Sequence, residues 1–139
     1  MRDAQNNDQA RLERNKHLVR EFYRCVFDGQ NAAAVKDFVT EDYKQHSRHM
    51  PAGREGLENF VRAVFPNGPV AEPGEMRNPP AFIVAEGDMV VVSAYMPQPD
   101  PDKPGATYDY FVFDAYRIRD DRLAEHWSGV NKIAPPKHP

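Results

Sequence analysis

The sequence predicts an α+β fold, with helices in the first half of the chain and an antiparallel sheet in the second. Three observations carry this. Apolar residues up to position 65 recur at helical spacing, and beyond Pro66 the apolar period shortens toward two. The length, 139 residues, suits a single domain spanning 1–139 with one sizeable core. Elements segregated in this way pack as a sheet with helices over one face. If that sheet curls, it leaves an open-ended cone.

The first ten residues are polar and read as a flexible tail, and a helical pattern begins near Gln9. Val19, Phe22, Tyr23, Val26 and Phe27 form one apolar stripe, and Asp28-Gly29 ends the helix. Asn31 can cap a short second helix over Ala32–Val39, with Val35, Phe38 and Val39 inward. The segment TEDYKQHSRHMPAGREG reads as polar and irregular. A third helix follows, with Leu57, Phe60, Val61, Val64 and Phe65 in step, and Pro66 stops it. Residues 66–80, rich in Pro and Gly, read as a loop. A hairpin joins 81–84 to 89–96 through Glu86-Gly87-Asp88. The loop PQPDPDKPGA leads to a strand over 107–118, a turn at Asp120-Asp121 and a returning strand, RLAEHWSGVNKI. Residues 134–139 read as a second flexible tail.

Composition excludes several function classes. The net charge is −3 and the basic residues are scattered, so there is no electrostatic reason to expect nucleic-acid binding. No apolar run approaches the ~18 residues of a membrane span. The polar start MRDAQNNDQARLERNK lacks a signal-peptide core, and the expectation is a cytoplasmic protein. The single cysteine, Cys25, excludes an internal disulfide and reads as a small buried hydrophobe.

Asp114 is the first candidate for chemistry. Alternation in YDYFVFDAYRI puts Tyr110, Val112, Asp114 and Tyr116 on one face. A carboxylate among such neighbours is costly unless paired or protonated. It is therefore either an ion-pair partner of Arg117 or Arg119 at the sheet rim, or an acid/base group in a pocket. With Asp120-Asp121 as the loop, Asp114 falls nearly opposite Trp127 and within one residue of His126. A one-residue slip decides which face His126 uses. If it shares the face of Asp114, the two make an acid/base couple; otherwise His126 is a hydrogen-bonded core histidine. Trp127 reads as core or as a ligand platform.

His46 lies in a polar segment, either solvated or catalytic. The spacing of His46, His49 and His126 is too loose for the usual zinc patterns, and no metal is expected. No G-x-G-x-x-G, P-loop or nucleophile elbow is present, so nucleotide cofactors and covalent catalysis have no motif support. His17, on the outer side of the first helix, and His138, in the tail, receive no role. Glu125 faces away from His126 as a surface or interface charge. Arg54 reads as a helix-start residue, with an anion clamp as the alternative.

These residues together resemble the SnoaL-like polyketide cyclase family, within the superfamily that shares the nuclear-transport-factor-like cone. The motifs are Phe22-Tyr23, Tyr43-x-Gln45-His46, Gly53-Arg54-Glu55-Gly56, Asp114-x-Tyr116-Arg117 and Glu125-His126-Trp127, covering roughly residues 12–131. The resemblance implies a strongly curved antiparallel sheet around an apolar pocket, closed at its narrow end by the helices. It implies an enzyme without metal or organic cofactor, and a homodimer. Asp114 matches the family's acid/base aspartate, and His46 and His126 match positions that point into the pocket. Where the family often continues EHW with an aspartate, this chain has Ser128, which leaves the Asp114–histidine arrangement as the candidate.

The expected function is acid/base chemistry on a small apolar, aromatic or polycyclic substrate. The reaction would be aldol-type cyclisation, isomerisation, dehydration or C–C lyase cleavage. Asp114, His126 and His46 are the catalytic candidates; Tyr23, Tyr43, Tyr95, Tyr110 and Trp127 are candidates for lining the pocket. The alternatives are a non-catalytic binding module and a dimerisation domain that uses the outer face of the sheet.

Overall fold

A computed structural model describes residues 2–129, so the tail at 134–139 and His138 lie outside the described residues. Helix α1 runs over Arg2–Phe22. It reaches further back than the sequence pattern suggests, but residues 2–10 are all exposed. Its apolar side buries Val19 and Phe22, and a π-helical turn over Tyr23–Asp28 adds Val26. A 3₁₀ turn (Ala32–Ala34) runs into the short α2 (Val35–Phe38). Asn31 precedes it in extended conformation, but its side chain makes no capping bond. Helix α3 (Gly53–Val64) buries Leu57 and Val61, and it ends before Phe65-Pro66 because a residue preceding proline is pushed out of helical conformation. Val64 is exposed.

The strands are β1 (Val39–Gln45), β2 (Phe82–Glu86), β3 (Met89–Tyr95), β4 (Gln98–Pro99), β5 (Thr107–Tyr108), β6 (Phe111–Arg119) and β7 (Arg122–Ser128). Five of them form one open sheet in the order β1-β7-β6-β3-β2, and β4 and β5 make a separate small ribbon. Two corrections follow. Val39–Gln45 is a strand, where the sequence pattern gives Val39 to the second helix and the residues after it to irregular chain, and it pairs with β7 in parallel, so the sheet is mixed. The span 107–118 is two pieces, with Thr107–Tyr108 in the ribbon and the main strand starting at Phe111.

The core lies between α1, α3 and the helix-facing side of the sheet. Val19, Phe22, Val26, Leu57 and Val61 meet Val90, Val92, Tyr116, Ile118 and Leu123 there. The sheet's other face is largely open and carries Phe82, Val84, Tyr95, Phe111 and Phe113 exposed. Cys25 is half-buried rather than buried, with its Sγ 3.7 Å from Glu21 Oε2. Among the described residues, no helix is long and apolar enough to cross a membrane.

The β6–β7 turn holds two adjacent non-glycine residues in the left-handed region. Asp120 and Asp121 both have positive φ, +52° and +57°, the arrangement of a type I′ hairpin. Glycine takes the second position of that turn at little steric cost. Asp121→Gly is therefore expected to stabilise the fold by about 0.5–1 kcal/mol, read from denaturant unfolding; an unchanged midpoint would contradict the strain.

Candidate active site

Register decides the site. At the turn, Arg119 pairs with Arg122 and Ile118 with Leu123, but beyond them Arg117 pairs with Glu125. Ala124 is the extra residue of a β-bulge. From there on Tyr116 lies opposite His126, and Asp114 opposite Ser128 rather than Trp127. The one-residue shift turns His126 to the helix-facing side, diagonally across from Asp114, and sends Glu125 and Trp127 to the outer face.

His126 Nε2 lies 2.7 Å from Asp114 Oδ1, and His126 Nδ1 lies 2.7 Å from Gln45 Oε1. His126 is buried, at 3% exposure. The Tyr116 ring stacks on its imidazole, with centroids 4.8 Å apart. Tyr23 opens the π-helical turn, a feature frequent at functional sites. Its hydroxyl donates a long hydrogen bond, 3.4 Å, to Asp114 Oδ2 and lies 2.7 Å from the Tyr116 hydroxyl. Burial, with the Asp114 charge second, pushes the Tyr23 and Tyr43 hydroxyls well above their ordinary range. Burial does the same to Tyr116. All three phenols thus stay protonated at neutral pH and can serve as donors.

Asp114 and Tyr23 border a cavity of about 340 Å³. Phe27, Met76, Met96, Val92 and Val112 make its walls largely apolar. The loop at 66–80 contributes Met76, Asn78 and Pro80 to the lining, whereas the loop at 97–107 contributes no residue. A larger hollow, about 580 Å³, lies along α1 beside Glu13, His17 and Glu21. It holds no carboxylate–imidazole hydrogen bond, whereas the smaller cavity is bordered by one.

The candidate residues therefore separate. Asp114, His126, Tyr23 and Tyr43 stand on the inner side. His46 does not join them. Gln45 pairs with His126 in the β1–β7 ladder, so strand alternation turns Gln45 inward and His46 outward. There His46 Nε2 lies 2.6 Å from Glu125 Oε2, and its ring stacks on Trp127 at 5.0 Å. Arg117 also contacts Glu125 and covers the Trp127 ring. The His46 contact, with Arg117 adding to it, holds the Glu125 carboxyl below its ordinary range. Trp127 thus belongs to an outer-face ion cluster and not to the cavity. Tyr95 donates to Asp109 and packs on Phe111, also outside. Tyr110 is exposed beside Tyr108, because the strand begins only after it. Arg54 stands in the first turn of α3 and donates to the Val39 carbonyl.

Sequence reasoning missed Gln45 as a site residue, because its parity with Tyr43 means something only once Val39–Gln45 is known to be a strand. It also missed Met76 and Met96, which no local pattern marks. Among the described residues no group of His, Cys, Asp and Glu has the geometry of a metal site.

Several solved structures of similar shape share less than a quarter of the sequence. An LEH-like epoxide hydrolase of M. tuberculosis aligns with a TM-score of 0.58 and 12% identity, covering 85% of this chain and 83% of that one. A candidate polyketide cyclase from Acidithiobacillus ferrooxidans gives 0.56 and 18%, covering 83% and 86%. TsrD from Streptomyces laurentii gives 0.56 and 19%, covering 84% and 87%. These likenesses establish the cone-type fold. No curated protein matches the chain. The family model of the SnoaL-like domain matches residues 19–126, most of the described chain, and the protein belongs to that family.

Proposed function

We propose that the protein is an acid/base enzyme needing no organic cofactor, acting on a small apolar organic substrate that carries a carbonyl group. The observation that carries this is the 2.7 Å Asp114–His126 contact beside an apolar cavity. Asp114 Oδ2, the oxygen not engaged by His126, takes a proton from the carbon next to the carbonyl. The C–H electron pair becomes a C=C bond and the carbonyl oxygen becomes an oxyanion, which the Tyr23 hydroxyl can stabilise by a hydrogen bond. Returning the proton elsewhere isomerises the substrate. Using the enolate as a nucleophile cyclises it, and reversing such a step cleaves a C–C bond, so isomerase, cyclase and lyase outcomes share this first step. A volume of about 340 Å³ is at the low end for ligand sites and suits one or two rings better than a longer polycycle. The proposed setting is the cytoplasm.

The test is a panel of one- and two-ring aryl ketones added to isotope-labelled protein. Binding is expected to shift the resonances of Tyr23, Val92, Val112 and His126, and to leave His46 and Trp127 unmoved. Shifts confined to the outer face would overturn the reading.

The partner proposed for that outer face is a second copy of the chain. What supports it is the exposed aromatic patch: Phe113 is 54% exposed, with Phe82 packed on it at 5.9 Å and Phe111 and Val84 nearby. Light scattering is expected to give a dimer for the native chain and a monomer for Phe113→Glu. A monomeric native protein would remove the proposal.

A further inference from the structure

The hydrogen bonds around Gln45 determine where the protons of the Asp114–His126 pair sit. The Ser47 backbone N–H donates to Gln45 Oε1 over 2.8 Å. A backbone amide can only donate, so this Gln45 atom is the carbonyl oxygen and can only accept. The same oxygen lies 2.7 Å from His126 Nδ1, and that contact requires a proton on Nδ1. A neutral His126 then presents a bare Nε2 to Asp114 Oδ1, also at 2.7 Å. A bare carboxylate oxygen there would set lone pair against lone pair. The contact holds one proton in either of two forms: carboxylic acid with neutral imidazole, or carboxylate with imidazolium.

We propose that Gln45 is a positioning residue that locks His126 in its Nδ1–H form, so that the Asp114–His126 pair carries exactly one transferable proton. This rests on the acid/base reading above and deepens it. The lock makes Nε2 the only ring nitrogen at which a proton comes and goes, and that nitrogen faces the acid beside the cavity. The Nε2–H tautomer would instead leave a bare Nδ1 facing the Gln45 oxygen, lone pair against lone pair. The other titratable groups facing the pair are phenols: Tyr116 from β6, Tyr23 from the π-helical turn and Tyr43 from β1. Asp28 adds a carboxylate on the cavity wall. Glu125 and His46, although adjacent in sequence to His126 and Gln45, point to the opposite side of the sheet.

Long-range ¹H–¹⁵N correlation spectra of histidine-labelled protein test this without any substrate. The native His126 is expected to show a protonated-type Nδ1 at every pH at which the fold persists, with changes confined to Nε2. Gln45→Leu removes the acceptor and is expected to shift Nδ1 toward the unprotonated type. Gln45→Glu, which keeps an oxygen there, is expected to retain the native Nδ1 pattern. An unprotonated-type Nδ1 in the native protein, or a folded Gln45→Leu protein with the native His126 pattern, overturns the proposal. If Gln45→Leu does not fold, the native spectrum alone decides. A locked Nδ1–H in a protein that catalyses no proton transfer would leave this inference standing and remove only the enzymatic reading.

Discussion

Asp114→Asn is expected to lower turnover by about 10²–10⁴-fold, the usual contribution of a positioned acid/base group, while the protein stays folded. The two expectations separate because of His126. With Nδ1 protonated toward Gln45, Nε2 is an acceptor, and an asparagine amide can donate to it across the same 2.7 Å gap. The buried imidazole keeps both partners, so the change in unfolding free energy should stay within about 1 kcal/mol. The amide cannot give up or take a proton at neutral pH, so chemistry stops. Steady-state rates and denaturant unfolding on the same preparation check both halves. A large stability loss with unaltered rates would make Asp114 a structural ion-pair partner.

Phe22→Ala is expected to cost about 3–5 kcal/mol. Phe22 is 1% exposed and sits at the centre of an aromatic cluster. Its ring meets Phe27 edge-on at 5.4 Å and Tyr116 at 6.1 Å, and touches Tyr23 and Phe38 on its other sides. Four neighbours that are themselves constrained cannot collapse into the space, so the cavity term is added nearly in full to the lost transfer energy. Tyr116 stacks on His126, and Tyr23 reaches Asp114, so this void would also loosen the site. Chemical unfolding reads the cost, and a loss under about 1 kcal/mol would mean that the cluster repacks.

How much of this was legible follows from where each signal lives. The α1 stripe could be read because burial at i, i+3 and i+4 leaves a periodic mark, and Val19, Phe22 and Val26 carry it. The β2–β3 and β6–β7 hairpins could be read because their turns, Gly87-Asp88 and Asp120-Asp121, punctuate apolar alternation. Strand β1 could not. It lies on the edge of the sheet and buries only Val39, Thr40 and Tyr43, so its sequence looks like loop. Without that strand, His46 had no defined parity and could be counted with the inward groups. The bulge at Ala124 leaves no mark in composition, yet it alone turns His126 toward Asp114 instead of away from it. Asp114 itself stood out as an acid among apolar neighbours. Its partners depended on long-range register, which single-strand patterns do not carry.

The central claim is that Asp114, coupled to His126 beside the hollow, moves a proton to and from a bound carbonyl compound. Solvent deuterium exchange at the carbon next to the carbonyl, followed by NMR with the aryl ketones that bind, measures that step without requiring the full reaction. The native protein is expected to speed exchange well above the buffer rate, and folded Asp114→Asn to fall back to it. Equal exchange by the two proteins, with the ketone bound in the cavity, would contradict the account.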